Sequence, residues 1–470
     1  MAEKQTRIEH DFLGEMEIPN DVYYGVQTLR AVENFRITDI PISIEPKMMK
    51  ALGYVKKAAA MANMDLGVLP GEIGDAILKA CDAVIAGELD GQFVVDAVQG
   101  GAGTSTNMNA NEVIANKALE ILGHEKGRYD IIHPNNHINC SQSTNDAYPT
   151  AFRTALLLII PKLTDAMTSL SGAFREKAGE FSDVLKMGRT QLQDAVPMTL
   201  GQEFGAFATT IAEDVERLKT VKELFYEVNL GATAIGTGIN APSGYRALAV
   251  DYLAQLTSLP MKSSADLIEA TWDTGAYVQL SGVLRRIAVK LSKICNDLRL
   301  LSSGPRAGFN EINLPKMQPG SSIMPGKVNP VIPEVVNQIA FKVIGMDVTV
   351  TLASEAGQLQ LNVMEPVIAF DLFVMLEMLQ RGCRVLESKC IRGITANRER
   401  CMELVLGSIG IVTALNPIIG YEASAAIAKE ALETGRSVHD LALEKGLIDK
   451  EKLEEIFSVK NLMNPKFFRK

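Results

Sequence analysis

The chain is 470 residues long, 47% hydrophobic and 22% charged, with a formal net charge of −9 and a pI near 5.3. That length exceeds one ordinary core, so two or three domains are expected. The acidic balance gives no general electrostatic reason to bind nucleic acid or an anionic membrane.

Aromatics make up only 6% while Ala, Leu, Met, Val and Ile are plentiful, a composition that favours helix packing over sheets. The opening MAEKQTRIEHDFLGEMEIP has no apolar leader core, and no uninterrupted apolar run approaches the roughly 18 to 20 residues of a membrane span. A cytoplasmic chain with no membrane partner is the expectation. The six cysteines include no CxxC pair, so they read as small buried thiols, not a zinc or disulfide framework.

Residues 1–142 read as a first, mainly helical domain, with helical spacing over 47–64 and 72–87. GGAGTSTNMN at 100–109 feeds glycines into hydroxyl and amide residues at a helix start, a concavity suited to an anion or an ordinary turn with an N-cap. HPNNHIN, 133–139, is polar and broken by proline, so His133 and His137 do not form a helical metal pair. A second polar cluster, SQSTND at 141–146, precedes a long helix.

From there to residue 397 the apolar residues alternate in steps of four and three. Leu156, Ile160, Leu163, Met167, Leu170 and Phe174 form one stripe, and Phe204, Phe207, Ile211, Val215 and Leu218 another. The pattern returns from Leu280 through Leu301 and again at Ile368, Leu372, Met375 and Leu379, while Val335, Ile339 and Val343 share a face of a fifth helix. Five such helices imply a long bundle with shallow crossings. Apolar residues off the main stripe, such as Val336, Ile344 and Leu376, imply packing against further copies of the chain.

GRTQLQDAVP, 188–197, is a third polar cluster, read as a loop, and NLGATAIGTGINAP, 229–242, is a glycine-rich loop that could be purely structural. The long stretch 302–330 carries four glycines and five prolines with apolar residues interspersed, and reads as an ordered functional loop. Ser321, Ser322, Lys327 and Asn329 there suit a small anion. Residues 398–470 form a small helical C-terminal domain in which Ser437 and Asp449 are N-caps.

Four polar loops separated by long helices can meet only if neighbouring subunits contribute, so a shared site is expected. No nucleophilic triad, metal quartet or dinucleotide fingerprint is present, and the nearest phosphate-loop lookalike, Gly320 to Lys327, has the wrong spacing. Hydroxyls, amides, glycine N–H groups and Lys327 remain, a set that can hold carboxylates and a carbanion-like transition state.

GSSIMPGKVNP at 320–330 resembles the signature loop of the aspartase/fumarase superfamily, and GGAGTSTNMN, SQSTND and GRTQLQDAVP resemble its other substrate segments in order and spacing. The resemblance covers nearly the whole chain. Within the superfamily, TQLQ and VIPEVVNQ are similar to the aspartate ammonia-lyases, whereas class II fumarases usually carry histidine where Gln191 stands. The resemblance implies a mostly α fold of three domains whose central five-helix bundle, 143–397, associates into a tetrameric core.

It further implies reversible anti elimination of ammonia from L-aspartate to give fumarate, with Ser321 as general base. Thr104, Ser143, Thr144 and Ser322 would hold the β-carboxylate, Lys327 and Asn329 the α-carboxylate, while Asn145, Thr190 and Gln191 would face the amino group. His133, Asn135 and Asn136 are implied as a regulatory dicarboxylate site. No cofactor is required by this chemistry, no metal ligand is assigned, and activation by Mg2+ is implied. The rival readings are a class II fumarate hydratase and a non-catalytic helical bundle.

Overall fold

The computed structural model describes residues 6–458 and 460–461. The chain is mostly α, 63% helical, and divides into two compact units, one of residues 1–164, 216–286 and 342–379 and the other of 165–215, 287–341 and 380–470.

The first unit opens with a hairpin, β1 (Thr6–Asp11) and β2 (Gly14–Pro19), turning at Phe12 and Leu13. Its strands alternate weakly, which is why a sequence reading finds only helical and irregular pieces here. Helix α1 (Val26–Asn34) lacks a side-chain cap of its own. Instead Glu112 accepts N–H bonds from Gly25, Gln27 and Thr28 at 2.8 to 3.0 Å. Helix α2 (Pro46–Asp65) starts with proline at its first turn, and α3 (Gly71–Ala86) lies close against it: a Cβ at Gly53 would stand 2.8 Å from Ile85. Helix α4 (Thr104–Ile121) packs on α3.

The five predicted long helices are α5 (Thr144–Glu180), α6 (Leu200–Lys222), α9 (Gly275–Leu301), α10 (Val331–Glu355) and α11 (Glu365–Lys389). Between α6 and α9 lie α7 (Tyr245–Thr257), which packs on α2, and the single turn α8 (Glu269–Trp272). Every stripe residue named above on α5, α6, α9 and α11 is buried. In the first unit Phe152 stacks on Tyr277 at 4.5 Å and meets Phe373 edge-on at 5.3 Å, joining α5, α9 and α11. In the second, Phe174 packs between Phe204 and Phe207.

Helix α10 corrects the expectation. Val335 is 39% exposed, while the buried face runs through Val336, Ala340, Val343 and Val350. Apolar residues surround this helix, so periodicity alone does not set its phase. A second face, Phe341, Val348 and Leu352, is exposed. Among the described residues α10 is also the helix long and apolar enough, by length and composition, to cross a membrane, which the count of uninterrupted apolar residues did not anticipate. Its polar residues are taken up by α9: Asp347 by Ser281 at 2.7 Å and Asn337 by Ser292 and Asn296 at 2.9 to 3.1 Å.

In the second unit β3 (Leu185–Thr190) and β4 (Gln193–Thr199) pair antiparallel, so the cluster read as a loop is a hairpin. Helices α12 (Arg398–Gly407), α13 (Asn416–Ile419), α14 (Tyr421–Thr434), α15 (Val438–Glu444) and α16 (Lys450–Ile456) follow. Ser437 and Asp449 cap the last two, as read from the sequence. Leu185 and Met187 of β3 enter the same core as Ile411, Leu415, Ile427 and Leu441. Of the six cysteines, five are buried and Cys140 is half-buried.

Candidate active site

In the first unit Gly101, Ala102 and Gly103 take φ of 88°, 57° and 88°, and this left-handed run delivers Thr104 to the first position of α4. Gly103 has no room for a side chain, since a Cβ would stand 2.5 Å from the Tyr148 ring. Thr104 is exposed and donates its hydroxyl to Gly101 O at 2.7 Å.

Ser143 caps α5. Its Oγ accepts from Asn145 N–H at 3.2 Å and its own N–H donates to Asp146 at 3.0 Å, a capping box closed by aspartate. The other Asp146 oxygen takes the N–H groups of Gly231 and Thr233, and burial pushes this carboxyl up to about 6. Helix α5 has Pro149 inside its first turns, so Asn145 C=O loses its helical donor. Asn229 Nδ2 replaces it at 3.0 Å, and Asn145 Nδ2 donates in return to Ala234 O at 2.7 Å. The glycine-rich segment 229–242 is thus a brace for the start of α5.

Thr144 Oγ1 accepts from Asn107 Nδ2 at 3.1 Å, tying α5 to α4. Beneath both helix starts lies Lys56, fully buried, whose Nζ donates to Asn107 at 2.6 Å, Gln142 at 2.9 Å and Asn139 at 3.0 Å. All three donors are used. Burial pushes the ammonium down to about 7, with negative Asp146 acting the other way.

In the second unit Gln191 and Leu192 form the tip of the β3–β4 hairpin with φ of 55° and 61°. Two-residue hairpin turns of this kind favour Asn-Gly, so Gln-Leu is strained, and such strain clusters at functional sites. Thr190 and Gln191 are both exposed. The predicted loop runs between α9 and α10, from 302 to 330, with one short strand, β7 (Ile312–Asn313). That strand pairs with β8 (Thr395–Ala396), while the parallel pair β5 (Glu227–Val228) and β6 (Lys262–Ser263) belongs to the first unit.

At the loop's centre Ser321 Oγ accepts from Ile323 N–H at 3.2 Å and Met324 N–H at 3.0 Å. Gly320 N–H donates to Lys327 O at 2.7 Å, and Asn329 Nδ2 to Gly320 O at 2.6 Å, closing the loop on itself. Ser322 and Lys327 are exposed.

His133 and Asn135 line a cavity of about 390 Å³ with His10, Asp11, Tyr129 and Glu112, whereas Asn136 stands outside that lining. His133 Nδ1 accepts from Asn135 N–H at 3.0 Å, and burial lowers the pKa of the ring below the ordinary histidine value. Burial pushes the Glu112 carboxyl up to about 7. Among the described residues, no group of three or more His, Cys, Asp or Glu side chains is placed to hold a metal ion.

A family model described as "Lyase" matches residues 14–345, more than half of the chain, and one described as "Fumarase C C-terminus" matches 411–464. An aspartate ammonia-lyase of Pseudomonas aeruginosa is 63% identical over 462 residues, 98% of each chain. The chain belongs to the aspartate ammonia-lyase family of the aspartase/fumarase superfamily. A solved "fumarate lyase:delta crystallin" from Brucella melitensis superposes with a TM-score of 0.95 at 56% identity, covering 97% of this chain and 99% of that one. A class II fumarase from Schistosoma mansoni keeps the fold at a TM-score of 0.93 but only 35% identity, with 98% and 100% covered.

Against this family background, the segments divide between the units. Thr104, Ser143, Thr144 and Asn145 lie in the first, with the two helix starts joined through Asn107, while Thr190, Gln191, Ser321, Ser322, Lys327 and Asn329 lie in the second. Two charged residues escaped the sequence reading. Lys56 sits among small apolar residues of α2 with nothing local to mark it, and Glu311 is one carboxylate in a long loop.

Proposed function

We propose that this chain is an aspartate ammonia-lyase that converts L-aspartate reversibly to fumarate and ammonia. Family membership supports the reaction, and one observation supports the chemistry: the two N–H groups on Ser321 Oγ. A free serine hydroxyl is far too weak an acid to serve as a base, and two backbone donors aimed at its oxygen stabilise the alkoxide.

The Ser321 alkoxide takes the Cβ proton. The electron pair left behind spreads into the β-carboxylate as a doubly negative aci-carboxylate, held by Thr104, Ser143, Thr144 and Ser322. That pair then closes the carbon–carbon double bond as the C–N bond breaks, and nitrogen leaves with its electrons as ammonia. Lys327 together with Asn329 pairs with the α-carboxylate, and Asn329 Nδ2 also clasps the loop through Gly320 O. Asn145, Thr190 and Gln191 orient the amino group; glutamine suits an amine, whereas hydration needs a residue that exchanges a proton with water.

No cofactor enters these steps. Activation by Mg2+ finds no fitting cluster among the described residues, and no step runs through it. The cavity at His133 and Asn135 is taken as a regulatory dicarboxylate site, with Asn136 at its edge.

The active form is a cytoplasmic homotetramer with sites shared between subunits and a small dicarboxylate, not nucleic acid or membrane, as partner. The exposed apolar face of α10 supports the assembly. Three domains, 1–142, 143–397 and 398–470, complete the reading, and the match at 411–464 falls inside the last. Ultraviolet detection of fumarate tests the function: L-aspartate should yield it at high turnover and malate should not. Fumarate from malate alone would make the chain a hydratase, and none from either would leave the non-catalytic bundle.

A further inference from the structure

Glu311 is fully buried, and a carboxylate removed from water costs several kcal/mol unless charges surround it. Arg189 Nη1 lies 2.7 Å from one oxygen and Lys186 Nζ 3.0 Å from the other, and Lys186 also meets Glu203 at 2.6 Å. The quartet is neutral. Neither cation reaches Glu311 in hydrogen-bond geometry, so charge and packing hold the carboxylate in place.

The elements that meet here are those that carry the chemistry. Lys186 and Arg189 belong to β3, and Arg189 immediately precedes Thr190 and the strained turn. Glu311 stands ten positions before Ser321 in the same loop. Its N–H donates to Leu301 O at the end of α9, and its C=O accepts from Asn397 N–H, both at 2.9 Å. The Arg189 guanidinium also covers the Phe309 ring at 4.2 Å, so one arginine grips the loop through both charge and a ring face.

We propose that Glu311 is a positioning residue that holds the Gln191 turn and the Ser321 loop in one arrangement through Arg189 and Lys186. The inference rests on the roles given above to Ser321 and Gln191. An apolar cluster of the same volume would supply packing, but it would let strand and loop slide, whereas an ion pair with fixed partners defines one register.

Glu311→Gln in the full-length enzyme keeps the shape and removes the charge. With a shift of about 1 Å costing roughly a hundredfold, kcat should fall about that far while KM for L-aspartate stays within about threefold. Hydrogen exchange should quicken together in peptides covering 188–195 and 318–329 and stay unchanged at 104–109 and 141–146. Arg189→Lys, which keeps the charge and loses the fork and the ring contact, should show the same pattern more weakly and serves if the first variant does not fold. Unchanged kcat, faster exchange in only one of the two segments, or a loss matched by a fall in folded protein would overturn the inference. A wild-type chain that released no fumarate from L-aspartate would overturn the reaction as well, whereas wild-type turnover with unlinked exchange would overturn the positioning role alone.

Discussion

Ser321 is half-buried beside exposed Ser322 and Ile323, and its Oγ is already the acceptor of two amide protons. Ser321→Ala removes the base and leaves the Gly320 to Lys327 and Asn329 closures intact. A loss in kcat of about 10²- to 10⁴-fold with an unaltered melting temperature is therefore expected from steady-state rates and calorimetry. Glu365 presents the opposite case, a carboxyl buried at the start of α11 and pushed by that burial up to about 8, with Arg153 acting against the shift. Its folded-state pKa lies above its unfolded value, so the stability it contributes is complete below about pH 4.5 and is lost as pH rises towards 8, at up to about 1.4 kcal/mol per unit. Glu365→Gln should flatten that decline. In thermal melts the variant's advantage over wild type should grow from about pH 5 to about pH 8, and a constant difference would refute the assignment.

At the level of elements, helix α5 begins in a place its own sequence disfavours, because Pro149 strips a donor from Asn145 and a distant loop returns it through Asn229. Asn229→Ala leaves that carbonyl unsatisfied and should cost about 1–3 kcal/mol in denaturant melts. Pro149→Ala restores the helical N–H, so the Asn229→Ala cost should shrink in that background, and a double-mutant cycle with no coupling would show the brace to be incidental. The local sequence of 229–242 does not separate a structural from a functional loop, because its partners are more than 80 positions away. The β3–β4 hairpin is hidden in the sequence for a related reason. Its turn residues, Gln191 and Leu192, are not turn formers, and the left-handed backbone they adopt is sustained by the packing of Leu185 and Met187 into the C-terminal core.

On the scale of the molecule, the proposed tetramer places the exposed apolar face of α10 in an interface. Phe341 and Leu352, each 62% exposed in the single chain, are placed on a helix whose other face is already packed. Phe341→Glu with Leu352→Glu should leave the helical content of the folded chain intact and reduce the mass in sedimentation below four times 51.0 kDa, with activity lost alongside. A tetramer that survived both charges would remove α10 from the interface. The sequence by itself determined the long helices, the extent of the 302–330 loop, the caps at Ser437 and Asp449 and the four polar segments, because periodicity, glycine and proline placement and hydroxyl clusters are local signals read over a few turns. Only tertiary structure decided the buried face of α10, the bracing of α5 by Asn229, and the burial of Lys56 and Glu311. Each depends on which distant residues exclude water from a side chain and supply its partners, and neighbouring residues along the chain carry no record of that.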